Sequence, residues 1–315
     1  MALKQLLFIL AAMLPTASWG CVADAPNGNS NQVDADHTLK DGQVEPDAQQ
    51  NTNNNTNNWQ PPTNSRVYVN TKDKLYYIDP GDSTDLVEVG SFTGPCTQDS
   101  GFYDIALNQD KKMIAISAEG LYWVDTDTAA CTIAYQFPAN SPHFHALSYV
   151  KGVDVNHPDE DKLIGASDED GEWVMIDFPN ENPGDLFVHL GYYEPHSFKW
   201  VSSGDNVSFQ TGAHTFKTYA TLRCENYDTD PSNECYSDWL AEITPQDGYA
   251  KLIGQTGYRA IYGLGFWGDR LYGFTSKGKY LQIDIHTGKG MVLHDFGADM
   301  SFWGAGNTTK PYIIQ

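Results

Sequence analysis

The feature that most constrains this chain is internal repetition. Five segments share one rhythm: Leu75-Tyr76-Tyr77-Ile78-Asp79, Leu121-Tyr122-Trp123-Val124-Asp125, Trp173-Val174-Met175-Ile176-Asp177, Trp239-Leu240-Ala241-Glu242-Ile243 and Tyr280-Leu281-Gln282-Ile283-Asp284. Each leads through a polar turn, at Asp79, Asp125, Asp177, Thr244 and Asp284, into one more short apolar run, such as Met291-Val292-Leu293-His294. Alternating strands broken by Gly, Asn or Asp turns at this interval predict four-stranded antiparallel units repeated around a centre. Aromatic content of 13%, with 18 Tyr against 14 Phe, suits half-buried pleated surfaces. A solenoid is the structural rival, and the Asp-containing turn before the last strand of each unit fits blades better.

Each blade should open on an inner strand. The candidates are Asp104-Ile105-Ala106-Leu107, His145-Ala146-Leu147-Ser148, His196-Ser197-Phe198-Lys199 and Tyr262-Gly263-Leu264-Gly265. The first repeat lacks one, because Arg66-Val67-Tyr68-Val69 aligns with second strands, while Phe302-Trp303-Gly304-Ala305-Gly306 is left over at the far end. The C-terminal strand is therefore expected to complete the N-terminal blade, which closes a ring and removes an open edge. The expectation is an all-β, five-bladed β-propeller over 65–315. Residues 66–308 resemble the broad class of NHL-like and quinoprotein-like propellers, a resemblance that implies a fold and no particular activity.

The N-terminus reads as an export signal over 1–20. Lys4 gives a positive start, and Leu6 to Leu14 form an apolar run too short to span a membrane as a stable helix. Of five cysteines, Cys21 follows Ser18-Trp19-Gly20, small residues at Ser18 and Gly20 fitting a cleavage site. This stretch resembles the lipobox of bacterial lipoproteins. The resemblance implies lipid attachment at Cys21 and, with Val22 next rather than Asp, an outer-membrane lipoprotein on the periplasmic or surface face. The alternative is ordinary cleavage nearby, with Cys21 free or paired.

Residues 21–64 read as a disordered tether. The run Asn51-Thr52-Asn53-Asn54-Asn55-Thr56-Asn57-Asn58 ends at Pro61-Pro62 and offers nothing to bury. As a random coil it would reach roughly 35–40 Å, enough to hold a domain clear of a bilayer. In an oxidising compartment the other four cysteines should pair. Cys224 and Cys235 bracket a short polar insertion with little core of its own, and Cys96–Cys131 follows by elimination, joining positions that neighbour in a propeller.

The net charge of −22, from 41 acidic and 19 basic residues, repels phosphate backbones and makes nucleic acid a poor partner. The membrane is expected as a partner through the lipid anchor alone, with a protein or carbohydrate ligand beyond it. If the inner strands align, Asp104, His145, His196 and Tyr262 converge at one mouth of the central channel as candidate ligand-binding residues. His143 shares a strand face with His145 by period two, so His143, His145, His196 and Asp104 are also metal candidates. Asp228, Asp230 and Glu234 resemble the start of a calcium loop, without the Gly of its sharp turn. A divalent cation such as Ca2+ is thus a candidate cofactor, against the plainer reading of acidic turns and a hydrated channel.

No G-x-S-x-G, H-E-x-x-H or Walker A sequence is present. The leading expectation is an exported, membrane-tethered module that binds a ligand or protein at the cell envelope. The alternative is an envelope hydrolase or lyase acting on sugars or lactones at the channel mouth. Facing carboxylates at a glycosidase separation, roughly 5–9.5 Å, would favour the enzyme, and an aromatic-lined shallow site would favour binding.

Overall fold

The computed structural model describes residues 66–80, 84–178, 186–194, 199–212, 214–226 and 235–311. Two compact units divide the chain, Met1–Asn57 and Asn58–Gln315, and the first lies outside the described residues. So do Cys21, His196, Asp228, Asp230 and Glu234.

Among the described residues twenty strands form five four-stranded antiparallel sheets, the five blades of a β-propeller. Blade one takes β1 (Val67–Asn70), β2 (Lys74–Ile78) and β3 (Val87–Ser91) together with the last strand, β20 (Gly304–Gly306). Blade two is β4 (Asp104–Leu107), β5 (Met113–Ile116), β6 (Gly120–Val124) and β7 (Cys131–Gln136). Blade three is β8 (Ala146–Val150), β9 (Lys162–Ala166), β10 (Glu172–Ile176) and β11 (Phe187–Tyr192). Blade four is β12 (Trp200–Gly212), β13 (Thr215–Cys224), β14 (Trp239–Ile243) and β15 (Ala250–Gln255). Blade five is β16 (Ile261–Trp267), β17 (Arg270–Thr275), β18 (Lys279–Ile283) and β19 (Gly290–Asp295).

The ring closes as the leftover C-terminal strand requires. β20 pairs with β1 through Tyr68↔Gly306, Val69↔Ala305 and Asn70↔Gly304, and Phe302, just before it, is fully buried among Phe274, Phe296 and their neighbours. The inner strands converge so tightly here that a Cβ on Gly304 would lie 2.7 Å from the Asp104 Cα, and one on Gly263 would lie 2.9 Å from the Ala305 N. Only glycine allows that approach.

The third strands explain why the repeat is so readable. Four of the five, β2, β10, β14 and β18, share one alternation of buried and half-buried positions, with a half-buried residue fourth. Each third strand meets the outermost strand across a register shift at the same place: Leu75/Tyr76, Leu121/Tyr122, Trp173/Val174, Leu240/Ala241 and Tyr280/Leu281. A bulge sharpens local twist, so the same device recurs at every outer edge of the ring.

Both expected disulfides form. Cys96–Cys131 ties the 3-10 turn Pro95–Gln98, after β3, to the first residue of β7, and so links blade one to blade two. Cys224–Cys235 closes the insertion between β13 and β14. One expected strand is displaced. The inner strand of blade four is β12, which starts at Trp200, beyond the expected His196-Ser197-Phe198-Lys199, and whose first ten residues, Trp200 to Phe209, are buried without alternation. A strand covered on both faces has no polar side to mark it, and Ser202, Ser203, Gly204, Asp205 and Asn206 look like a turn until the channel is seen to need them.

Candidate functional site

An inner strand presents one edge to its own blade and the other to the axis, where its N–H groups lack a ladder partner. Side chains supply the acceptors, and they do so between blades. The Asp104 Oδ2 accepts the Leu147 N–H at 2.7 Å, joining blade two to blade three. Asp205 accepts the Leu264 N–H, joining blade four to blade five. Asp238 accepts the Ile261 N–H at 2.8 Å, with the Ser203 hydroxyl donating to the same oxygen at 2.7 Å. The Asn307 Oδ1 accepts the Phe266 N–H at 2.7 Å. A buried N–H left without such a partner costs about 1–3 kcal/mol, so these polar residues belong to the ring's closure.

Two of them do more. Asp104 and Asp205 come from blades two and four, are fully buried, and hydrogen-bond to each other across the channel. Burial pushes both carboxyls well above the usual range, and for Asp104 the charge on Asp205 adds to it. Opposing this, Asp104 accepts from Ile105 and Leu147, and Asp205 from Asn206, Leu264 and Ala305. Two like groups in contact cannot both hold a bare charge, so they titrate as a pair around one shared proton or another positive centre.

Above this pair, at the start of the inner strands, the channel has an aromatic mouth. Tyr103 and Trp303 each precede the residues that touch across the axis, Asp104 and Gly304, so their rings share a level and lie parallel, 6.1 Å apart and 8° from coplanar. His145 lies 5.0 Å from the Tyr103 ring on blade three. Tyr262 precedes Gly263 at the same level of blade five and packs against Gly204. All four are half-buried. Beside them the His145 Nδ1 lies 3.2 Å from the Asp168 Oδ2, and Arg223 reaches the same carboxylate at 3.6 Å and the Asp168 carbonyl at 2.9 Å. The mouth therefore offers ring faces, a carboxylate and a guanidinium within one patch.

Of the residues singled out from sequence, His145 and Tyr262 stand at this mouth, and Asp104 lies beneath it, out of solvent. His143 is exposed in the segment before β8. Asp104 bonds to Asp205, whereas His145 bonds to Asp168, so the two do not meet as one ligand set. Among the described residues no three His, Cys, Asp or Glu side chains gather as a metal centre. Sequence reading missed Asp205, Trp303 as a mouth residue, Asp168 and Arg223. Asp205 had one usable signal: Ser203-Gly204-Asp205-Asn206-Val207 sets an aspartate directly before a short alternating run, as Tyr103-Asp104-Ile105 does. Asp168 and Arg223 had none, because turns and neighbouring blades bring them in.

A groove of about 700 Å3 opens elsewhere, on the flank of blades four and five, against Phe209, Tyr219 and Phe266. Its Lys217 and Glu242 already pair with each other. The rings at the channel mouth come from four of the five blades and Arg223 adds the remaining one, whereas this groove draws on two.

No family model and no curated protein matches the chain. Solved structures are similar to the chain at low identity. A structure from a study of the de novo evolutionary emergence of a symmetrical protein is 13% identical, over 76% of this chain and 93% of its own, with a TM-score of 0.43. TolB from Acinetobacter baumannii is 15% identical over 75% of this chain and 54% of its own, at a TM-score of 0.40. A protein of unknown function from Bacteroides caccae is 10% identical over 77% of each, at 0.36.

Proposed function

We propose that this chain is an exported binding module, tethered to the bacterial envelope through Cys21, that takes a ligand at the aromatic mouth of its propeller. The observation that carries the reading is the stacked Tyr103–Trp303 pair, flanked by His145 and by the Arg223–Asp168 pair and left half-exposed where four blades converge. Exposed aromatic faces beside paired hydrogen-bonding groups are the usual makings of a recognition site: rings supply contact area with little entropy to lose, and the polar groups set orientation. Such a surface suits the ring faces of a sugar or the side chains of a peptide. The facing carboxyls described at the axis, Asp104 and Asp205, are in contact, shielded and tied to backbone N–H groups, which is not the separation that glycoside hydrolysis uses. Export is supported by the two disulfides, which persist in oxidising compartments.

The processed full-length protein and its Tyr103→Ala variant, screened in parallel on glycan and peptide arrays, test the binding role. Ligands retained by the parent should bind the variant at least tenfold more weakly, about 1.4 kcal/mol. Equal retention by both proteins would remove the mouth as the site. Mass spectrometry of the mature N-terminus tests the tether: a lipidated Cys21 is expected, and an unmodified N-terminus at any other residue would contradict it.

A further inference from the structure

We infer that the centre of the channel is a cation site, in which Asp104, Asp205 and the amide oxygen of Asn70 hold one hard divalent ion, calcium foremost. Three observations carry this. Two fully buried carboxyls from different blades face each other in direct contact, and the partners described for them are backbone N–H groups and one another. Asn70 is also fully buried and its Oδ1 has no hydrogen-bond partner, although its Nδ2 is engaged by the Thr71 and Phe102 carbonyls. That orphaned oxygen is aimed at the same point as the pair: a Cβ on Gly304 would lie 2.8 Å from it and 2.1 Å from the Asp104 Oδ1.

An unpaired buried acceptor beside two buried acids is an arrangement that a positive centre resolves and hydrogen bonds within the protein do not. A shared proton satisfies the two carboxyls and leaves the Asn70 oxygen bare. A cation serves all three. The donors are all oxygen, two of them carboxylates, which is the set that calcium takes, with water completing its six to eight ligands. The Nδ2 of Asn206, beside Asp205, is likewise buried and unpartnered, and an ion-bound water can accept its hydrogen. Charge balances as well, since one divalent ion neutralises two carboxylates. Histidine, which the sequence offered for this role through His143, His145 and His196, is not needed. The ion would join blades one, two and four at the axis and act as a rivet for the ring.

The experiment uses the processed full-length protein, stripped with EGTA and returned to calcium-free buffer. Elemental analysis before stripping should find one equivalent of divalent metal, and calcium added back should raise the melting temperature by several degrees. Terbium should bind in the same place and be excited by the surrounding rings, with calcium displacing it. Asp104→Asn and Asp205→Asn should abolish the thermal shift. Asn70→Ala, which leaves both carboxyls in place, should weaken calcium at least tenfold and serves as the reporter if either aspartate variant fails to fold. His145→Ala, at the mouth, should leave calcium affinity unchanged. A protein that holds no stoichiometric metal and whose melting ignores calcium would overturn the site and leave a proton between the two acids. A calcium shift that survives Asn70→Ala undiminished would overturn it too, by placing the ion among the acidic surface turns. None of these outcomes depends on what the mouth binds.

Discussion

At the start of the inner strands the channel carries half-exposed rings, Tyr103, His145, Tyr262 and Trp303. At the ends of the same strands it carries a lysine with no exposed side chain, Lys151, paired at 3.0 Å with Asp161. Lys151 also donates to the Gln109 side chain and to the Asp159 carbonyl, and it lies 5.7 Å from the Phe216 ring. The chain beyond β20 then runs across this end. The Thr309 hydroxyl donates to Asp161 at 2.9 Å, the Thr309 carbonyl accepts the Gln210 N–H, and Asn307 accepts the Phe266 N–H. One end is thus sealed by a satisfied polar network that includes the segment after β20, and the other is lined with groups that still have surface to offer. A ring of near-identical blades has no intrinsic front. The difference between its ends is set by where the closing strand stops and by which loops stand over each end, and it tells which end can take a ligand.

The contrast makes ordered predictions. The largest effect should come from removing residues 307–315, which leaves β20 in place and unseals the far end. Asn307, Thr308 and Thr309 are buried, and their loss strips partners from Phe266, Gln210 and Asp161 together. Against a whole-domain stability of roughly 5–15 kcal/mol, the truncated protein should be recovered unfolded or aggregated, as judged by circular dichroism and size exclusion. A truncated chain melting within a degree or two of its parent would show that the far end is not sealed by this segment.

Next comes Lys151→Ala. It leaves Asp161 buried and uncompensated, and breaking a buried pair in this way costs about 3–5 kcal/mol. Urea unfolding should show the loss, and Asp161→Asn combined with it should recover part, because the stranded charge is gone. Removing the Cys224–Cys235 bridge with paired serines should cost less, about 2–3 kcal/mol for so short a closed segment. Because Cys224 follows Arg223, ligand affinity at the mouth should fall with it, while the Lys151 variant, where folded, should bind normally. The smallest change in stability should follow Tyr103→Ala. A half-exposed ring at an open mouth should shift thermal unfolding by little more than the variation among surface substitutions, about 0.5 kcal/mol, though it removes binding. A mouth variant as damaging as Lys151→Ala would erase the distinction between the ends.

The repeat and the ring closure could be read in advance because they rest on local chemistry. Third strands such as Lys279–Ile283 repeat one short pattern, turns such as Asp284-Ile285-His286-Thr287 fold onto the aspartate through backbone N–H bonds at 2.8 and 2.9 Å, and the count of inner strands left one unclaimed at the C-terminus. Both disulfides were legible too: Cys224 and Cys235 bracket one insertion within blade four, and Cys96–Cys131 joins blades that are neighbours in sequence and so in space. The axis was legible only in part. Asp104, His145 and Tyr262 stood out as polar or aromatic residues at strand starts, but β12 hides Asp205 among small polar residues buried on every side. Asn70 hides at the end of a second strand. Lys151, just after β8, carried no signal of its own, because lysine is rarely buried without a partner and its partner Asp161 lies across a loop. Contacts between blades carry no local period, so these residues emerge only once the ring is assembled.

Binding through the mouth of a one-ended channel is tested most directly by hydroxyl-radical footprinting of the processed protein, with and without a ligand retained from the arrays. Tyr103, His145 and Trp303 should be oxidised in the free protein and protected when the ligand is bound, while Lys151 resists acylation in both states. Protection confined to exposed residues such as Met291 in β19 and Tyr249 just before β15, with the mouth unchanged, would contradict it.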